Sequence, residues 1–306
     1  HRTVMSQYPP GSTWKMLVAM AAMQEGIINE NTIINCGGGF NYGGRLHKCH
    51  IAHGAMNVRS AIKVSCNTFF YQLGLKIGMA NLEKYGKMFG FGQKTFVDLP
   101  GEKQGRLPTR EWLEKMLGKG ANLGGRLVNY GIGQGEILVT PIQMAAYCAA
   151  IANEGTYYQP HFVRSVKNHI TNSAEGVNYA SRKVAINSHI FKIIKDGMFD
   201  VVNSGGGTGS AAKFADIAVC GKTGTAENPH GADHAWFICF APKENPKIAL
   251  CVFVENAGFG GSVSAPIAKE LLDCFFHPDT YDTKKAKGIP GGDSTVVAKK
   301  SEYIPD

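Results

Sequence analysis

Residues 217–255 read IAVCGKTGTAENPHGADHAWFICFAPKENPKIALCVFVE. Three short runs rich in Val, Ile, Phe and Cys, at 217–222, 235–241 and 248–255, are separated by Gly, Pro, Asn and Asp clusters of the kind that end strands and open turns. Connections this short cannot make the crossover a parallel pair needs, so the spacing predicts three consecutive antiparallel strands. An apolar stretch at 266–276 predicts a final helix packed on that sheet.

Upstream the period is helical. Residues 12–24 predict an apolar helix entered sharply through Pro9, Pro10 and Gly11. Segments 57–64 and 68–77 are helical, interrupted by Ser65, Cys66 and Asn67, and 81–89 forms a further helix ended by Gly90. Thr140 caps a helix with Pro141 at its first position and Gly155 just past its end. Residues 188–202 form another before the glycine-rich loop at 205–209. Residues 30–56 are rich in Gly, Asn, His and Cys without periodicity and read as a loop-dominated insert in need of a staple, while 91–139 is turn-rich. Helices followed by a strand meander, with no βαβ alternation, predict an α+β fold with one antiparallel sheet packed against helices. The expected organisation is one domain over 1–277 and a polar tail at 278–306, disordered or loosely attached.

Composition narrows the possibilities. The chain has 306 residues, 44% hydrophobic and 18% charged, which supports a buried core and excludes collagen, coiled coil and a membrane-embedded bundle. The 32 Lys and Arg against 24 Asp and Glu leave a net charge of +8 with no long basic run, a mild bias rather than a nucleic-acid footprint. Glycine, with 38 residues, is well above its usual share of ~7% and predicts many tight turns or close backbone approaches. The longest apolar run, 16–23, is far short of the ~20 residues of a membrane span. The sequence opens at His1 with neither an initiator Met nor a signal peptide, so it is expected to be a piece of a longer chain. The eight cysteines are too few for a disulfide scaffold at this length. Cys148, Cys220, Cys239, Cys251 and Cys274 lie in apolar strand-like or helix-like runs and read as buried packing.

Three short strings carry chemistry. Ser12-Thr13-Trp14-Lys15 puts a hydroxyl at a helix start and an amine on the same face one turn on. A desolvated lysine there can lose its proton and serve as the serine's base. Alone, the string reads as an N-cap serine with a solvated lysine. Ser65-Cys66-Asn67 lies in a helix break, where small polar side chains also turn back to cap the next helix. Lys222-Thr223-Gly224 ends an expected strand; alternation sends Lys222 and Gly224 to one face and Thr223 to the other, and Gly224 leaves room for a backbone alongside. Thr225 adds a hydroxyl and an N–H.

Taken in order, Ser-x-x-Lys on a helix, Ser-x-Asn between helices and Lys-Thr-Gly on a strand form the trio known from penicillin-binding proteins and serine β-lactamases. The sequence resembles the transpeptidase domain of class B penicillin-binding proteins, and within them it is most similar to the penicillin-binding protein 2 group, the elongation transpeptidases. Residues 8–12, 65–71, 131–135 with 140–143, and 221–226 carry the resemblance, which covers residues 8 to about 276. It implies a penicillin-binding, serine β-lactamase-like fold with a mainly helical subdomain, and a serine D,D-transpeptidase that β-lactams inhibit covalently. On that likeness Ser12 is acylated by a pentapeptide stem ending in D-Ala-D-Ala, Lys15 takes its proton, Ser65 relays a proton to the leaving amine, and Asn67 holds Lys15 and the substrate amide. The N–H groups of Ser12 and Thr225 form the oxyanion hole, and Lys222, Thr223 and Thr225, with Gly224 between them, bind the terminal carboxylate. The likeness further implies a catalytic domain in the periplasm, anchored at the bacterial inner membrane, working with a RodA-like glycan polymerase and other elongation-complex proteins, and not with nucleic acid.

Cys36, Cys49, His53 and Cys66, spaced C-x12-C-x3-H-x12-C, form a residue set suited to structural zinc within 30–66. Some relatives bind zinc in this region, and His53 and Cys66 look like two of their ligands; His47 and His50 compete for a place. The metal would be structural, since the chemistry needs no cofactor. A β-lactamase-like hydrolase shares the trio but needs a glutamate-held water, and no convincing glutamate motif stands between Ser65 and Lys222. A D,D-carboxypeptidase, a penicillin sensor or scaffold, and a basic zinc module for nucleic acid are the other readings.

Overall fold

The structure, a computed structural model, describes residues 1–278. In chain order, α1 (Arg2–Met5) and a 3-10 turn (Gly11–Trp14) lead into α2 (Lys15–Gln24). Four short strands follow: β1 (Ile34–Cys36), β2 (Gly39–Tyr42), β3 (Arg45–Lys48) and β4 (Gly54–Met56). Next come α3 (Val58–Lys63), α4 (Asn67–Met88), α5 (Arg110–Leu117), α6 (Gly124–Gly131) and α7 (Pro141–Ala152). Strands β5 (Thr156–Tyr158), β6 (Ser165–Lys167), β7 (Ala174–Gly176) and β8 (Ser181–Lys183) precede α8 (Ser188–Asn203). The described residues close with β9 (Cys220–Ala226), β10 (His234–Ala241), β11 (Ile248–Val254) and α9 (Ser264–Phe276). Contacts divide it into two units, His1–Lys269 and from Glu270 on. The expected tail lies, after Pro278, outside the described residues.

The meander is antiparallel in the order β11-β10-β9, with Phe237 facing Thr223 on one side and Val252 on the other. Its first strand is displaced from the expected 217–222. The ladder runs on through the small residues 223–226, whose lack of apolar signature hid them, so Lys222-Thr223-Gly224 lies within β9 and not at its end. The insert at 30–56 is also more ordered than expected: β1 pairs with β4, and β2 with β3. Helices α5 and α6 lie in the stretch read as turns. The β6–β7 pair is exposed along its whole length and therefore carries no hydrophobic alternation to find. Cys148, Cys220 and Cys239 are buried and Cys251 partly so, but Cys274 is exposed. It lies two positions beyond the buried Leu272, on the opposite side of the helix.

Helix α2 is apolar on every side, with Met16, Leu17, Val18 and Met20 shut off from solvent, so it must be wrapped, and α4 and α8 pack against it. Helix α4 bends at Gly78 (φ 68), the break expected between 77 and 81. Helices α4 and α6 cross through glycine: a Cβ on Gly74 would lie 2.2 Å from Leu127 O, and one on Gly131 would lie 2.3 Å from Phe70 O. Helix α7 begins in a capping box between Thr140 and Gln143.

The Gln143 amide does more than cap. Its Oε1 accepts from Thr140 N at 2.9 Å, while Nε2 donates to Gln93 O at 2.8 Å and Gln104 O at 2.9 Å, so one buried side chain ties the 91–107 loop to the helix. Gln143→Ala should leave these buried groups unsatisfied and cost on the order of 3 kcal/mol. Thermal melting should record this as a fall of roughly 6–12 °C; an unchanged melting point would show that water replaces the amide.

Candidate active site

Ser12 sits in the 3-10 turn that opens α2, partly exposed, and its turn is clasped from two sides. Gly11 has φ +54, and a Cβ there would fall 2.3 Å from Thr225 O, so only glycine lets this turn lie against β9. On the other side Gly11 N donates to Gly133 O at 2.9 Å, and Gln134 Nε2 donates to Thr225 O at 3.1 Å. The Gly131–Gly135 run thus pins turn and strand together. Trp236 Nε1 adds a bond to Pro9 O at 3.0 Å from β10.

Behind Ser12 lies the main electrostatic feature. Lys15 and Lys222 are both fully buried. Lys15 Nζ donates to Ser65 O at 2.8 Å, Ser65 Oγ at 3.1 Å and Asn67 Oδ1 at 2.6 Å. Lys222 Nζ donates to the same Ser65 Oγ at 3.0 Å and to Thr223 O at 2.9 Å. Burial pushes Lys15 down to about 7, against a smaller opposing pull from negative charge on Cys49 and Cys66. Burial, and then the neighbouring Lys15 charge, push Lys222 well below the usual lysine range. A hydroxyl has two lone pairs and one proton. With both lysines donating to Ser65 Oγ, the Ser65 proton is directed elsewhere. Ser65 stands in the break between α3 and α4 at φ +56, a strained conformation for a residue with a Cβ.

These groups border a cleft of about 820 Å3, lined by Ser12, Ser65, Asn67, Thr223, Gly224 and Thr225. Lys222, expected to meet a substrate carboxylate directly, does not line it; it stands behind Ser65. Several lining residues were not singled out from the sequence. Thr208, from the 205–209 loop, places its Oγ1 2.7 Å from Thr223 Oγ1. Glu227 also lines the cleft, as do the β2–β3 hairpin through residues 45–48 and, from the stretches that carry the resemblance, Tyr71 and Gln134. Thr208 and Glu227 had only proximity to other polar residues as a signal. A smaller cavity of about 480 Å3 beside Arg2, Pro141 and Phe253 contains none of the expected catalytic or substrate-binding residues.

Cys36, Cys49, His53 and Cys66 come together, their ligand atoms all within 4.8 Å of one another. His53 Nδ1 lies 3.5 Å from both the Cys36 and the Cys49 sulfur. A tetrahedral zinc with Zn–S of ~2.3 Å and Zn–N of ~2.0 Å sets such a pair about 3.5 Å apart, so the residues fit that ion. Two further observations bear on the thiols. The buried Thr68 Oγ1 has no hydrogen-bond partner, and it is near enough to Cys36 to favour its thiolate. Cys49 accepts from Asn67 N at 3.2 Å, and a hydrogen bond from the Cys66 thiol pushes Cys49 down and Cys66 up. His47 and His50 do not join the cluster but line the cleft.

The profile of the penicillin-binding protein transpeptidase domain matches residues 1–273. The chain is 32% identical to the peptidoglycan D,D-transpeptidase MrdA of Haemophilus influenzae, over 99% of this chain and 49% of that one. It is 35% identical to MrdA of Acinetobacter baumannii, over 89% and 43%. It thus spans about half the length of these curated relatives. Among solved structures, Pseudomonas aeruginosa PBP2 in complex with WCK 5153 superposes with a TM-score of 0.79 at 32% identity, covering 90% of this chain and 60% of that one. Helicobacter pylori PBP2 in its complex with MreC gives 0.78 at 30%, covering 90% and 50%.

A base needs a lone pair, and Lys15 holds one only above its titration near 7. Acylation of Ser12 should therefore rise with pH across about 7 and level off above it. Intact-mass kinetics from pH 5.5 to 9 would check this, and a rate independent of pH would remove Lys15 as the base.

Proposed function

This chain belongs to the penicillin-binding protein transpeptidase family, and we propose that it is the catalytic domain of a peptidoglycan D,D-transpeptidase acylated at Ser12. The observation that carries this reading is the convergence of two buried lysines on Ser65 Oγ behind an accessible Ser12.

Ser12 Oγ attacks the carbonyl of the penultimate D-Ala of a pentapeptide stem while neutral Lys15 takes its proton. The N–H groups of Ser12, at a helix start without intrahelical partners, and of Thr225 stabilise the oxyanion. As the C–N bond breaks, Ser65 passes its outward proton to the departing D-Ala amine and is resupplied from the lysines. Asn67 uses Oδ1 to hold Lys15, which leaves its NH2 for the substrate amide. Thr223 and Thr225, with Thr208 beside them, take the terminal carboxylate, while Gly224 keeps the wall flat. Lys222 acts from behind, because an arriving anion favours its protonated form. The amine of a second stem then attacks the ester, forming the cross-link amide and returning a proton to Ser12 Oγ. A β-lactam carbonyl follows the first half of this course.

The cysteine–histidine cluster is read as a structural zinc site. Cys36, Cys49, Cys66 and His53 would hold the ion, and its bonds would tie 34–66 to the start of α4. By likeness to its relatives the domain is assigned to the periplasm, at the inner membrane. No helix among the described residues is long and apolar enough to cross a membrane. The complex of Helicobacter pylori PBP2 with MreC favours elongation-complex proteins as partners, and a RodA-like glycan polymerase is the partner expected to supply the strands.

Labelled penicillin should add one covalent equivalent to the intact chain, and Ser12→Ala should abolish the label with the melting temperature unchanged. A label retained by the folded variant would put the nucleophile elsewhere. Chelation of zinc-loaded protein should lower both the melting temperature and the rate of Ser12 acylation; a metal-free preparation that melts and acylates normally would sink the zinc assignment.

A further inference from the structure

The cysteine–histidine cluster presents its thiols unequally. Cys36 and Cys66 are buried, 2% and 0% exposed, whereas Cys49 is partly exposed and lines the same cleft as Ser12. A reagent in the cleft therefore meets one sulfur of the cluster and not the other two.

The two buried thiols also face Cys49 differently. Cys36 Sγ donates to Ile51 O at 3.6 Å, and His53 Nδ1 stands 3.5 Å from both the Cys36 and the Cys49 sulfur, so that pair is bridged by the imidazole. The Cys66 thiol instead donates directly to the Cys49 sulfur, with Cys36 its lesser partner. Cys49 Sγ is 3.2 Å from Asn67 N, the atom that follows the Cys66 carbonyl carbon, so it already lies against the backbone that carries Cys66. Closing these two sulfurs from hydrogen-bond contact to the ~2.05 Å of a disulfide takes a short movement of two side chains.

Resting on the reading of the cluster as a metal site, we infer that Cys49 is a thiol–disulfide exchange site reached from the catalytic cleft, and that low-molecular-weight disulfides convert it to a Cys49–Cys66 bond whenever the cluster holds no metal. The Cys49 thiolate attacks one sulfur of the small disulfide and expels the other half as a thiolate. The Cys66 thiolate then attacks the Cys49 sulfur of the mixed disulfide, expels the second half and closes the internal bond. Two protein thiols are oxidised, one small disulfide is reduced to two thiols, and the two protein protons pass to the departing thiolates. Only Cys36 and His53 then remain of the four ligands that structural zinc takes, so oxidation and metal uptake exclude each other. The staple beside Ser65 and Asn67 is thereby placed under redox control.

The test uses the Cys274→Ser chain, which lacks the exposed thiol, stripped of metal under dithiothreitol and then exposed to oxidised glutathione. Its intact mass should fall by two hydrogens, and peptide mapping without reductant should join Cys49 to Cys66. Uptake of added zinc, read by native mass, should be lost and should return with dithiothreitol, while the chain loaded with zinc beforehand should keep its mass through the same exposure. With Cys66→Ser added, the reaction should stop at one glutathione on Cys49. A bond to Cys36, a glutathione that persists on the intact cluster, no reaction at all, or equal oxidation of the zinc-loaded chain would overturn the inference. Zinc uptake by the reduced chain keeps the two ideas apart. If the reduced chain binds zinc and no Cys49–Cys66 bond forms, only the exchange site fails; if it binds none and the bond forms, the zinc assignment fails and the exchange site stands.

Discussion

A single hydroxyl oxygen, Ser65 Oγ, accepts hydrogen bonds from two amines that water does not reach. The partners of Lys15 and Lys222 are carbonyl, hydroxyl and amide oxygens, with no carboxylate among them. Buried ammonium groups are tolerated when paired with an opposite charge. Here they are not so paired, and the molecule meets the difficulty by loosening their protons. A lysine poised near neutrality is what an acyl-transfer site needs, and it follows from solvation alone once the start of α2, the α3–α4 break and β9 are brought to one point.

Keeping three elements at one point requires backbones to approach more closely than side chains allow. Gly11 lies against Thr225, Gly133 against Gly11, and Gly74 against Gly131. The glycine excess therefore has a mechanical meaning at these crossings. Elsewhere many glycines, such as Gly43, Gly44 and Gly206, have open space where a Cβ would stand, and serve only turns.

What the sequence revealed follows from where the determinants lie. The capped helix after Thr140, the wholly apolar α2 and the alternating β10 announce themselves locally, because burial imposes a period on consecutive residues. The three motif strings were also legible, being short and each bound to one element. The β6–β7 pair left no trace because it buries nothing. The small residues 223–226 look like a turn until β10 is laid beside them. Thr208 and Glu227 gain their place only from residues far away in the chain, as does the position of Lys222 behind Ser65 rather than in the cleft.

Cys66 stands between Ser65 and Asn67, and this adjacency links two features that look separate. Ser65 holds φ +56, a conformation costing of order 1–3 kcal/mol for a non-glycine residue, which persists only where the surroundings over-determine it. From one side the two lysines hold its side chain. From the other, Cys66 is drawn toward Cys36, Cys49 and His53, while Asn67 N is tied to the Cys49 sulfur. The strain at Ser65 is thus opposed at both ends of a three-residue string. Were the thiol end released, the backbone could relax toward an ordinary turn, and Ser65 Oγ would leave the point where the two amines meet. The cysteine–histidine cluster and the two-lysine centre at Ser65 therefore share one energetic account.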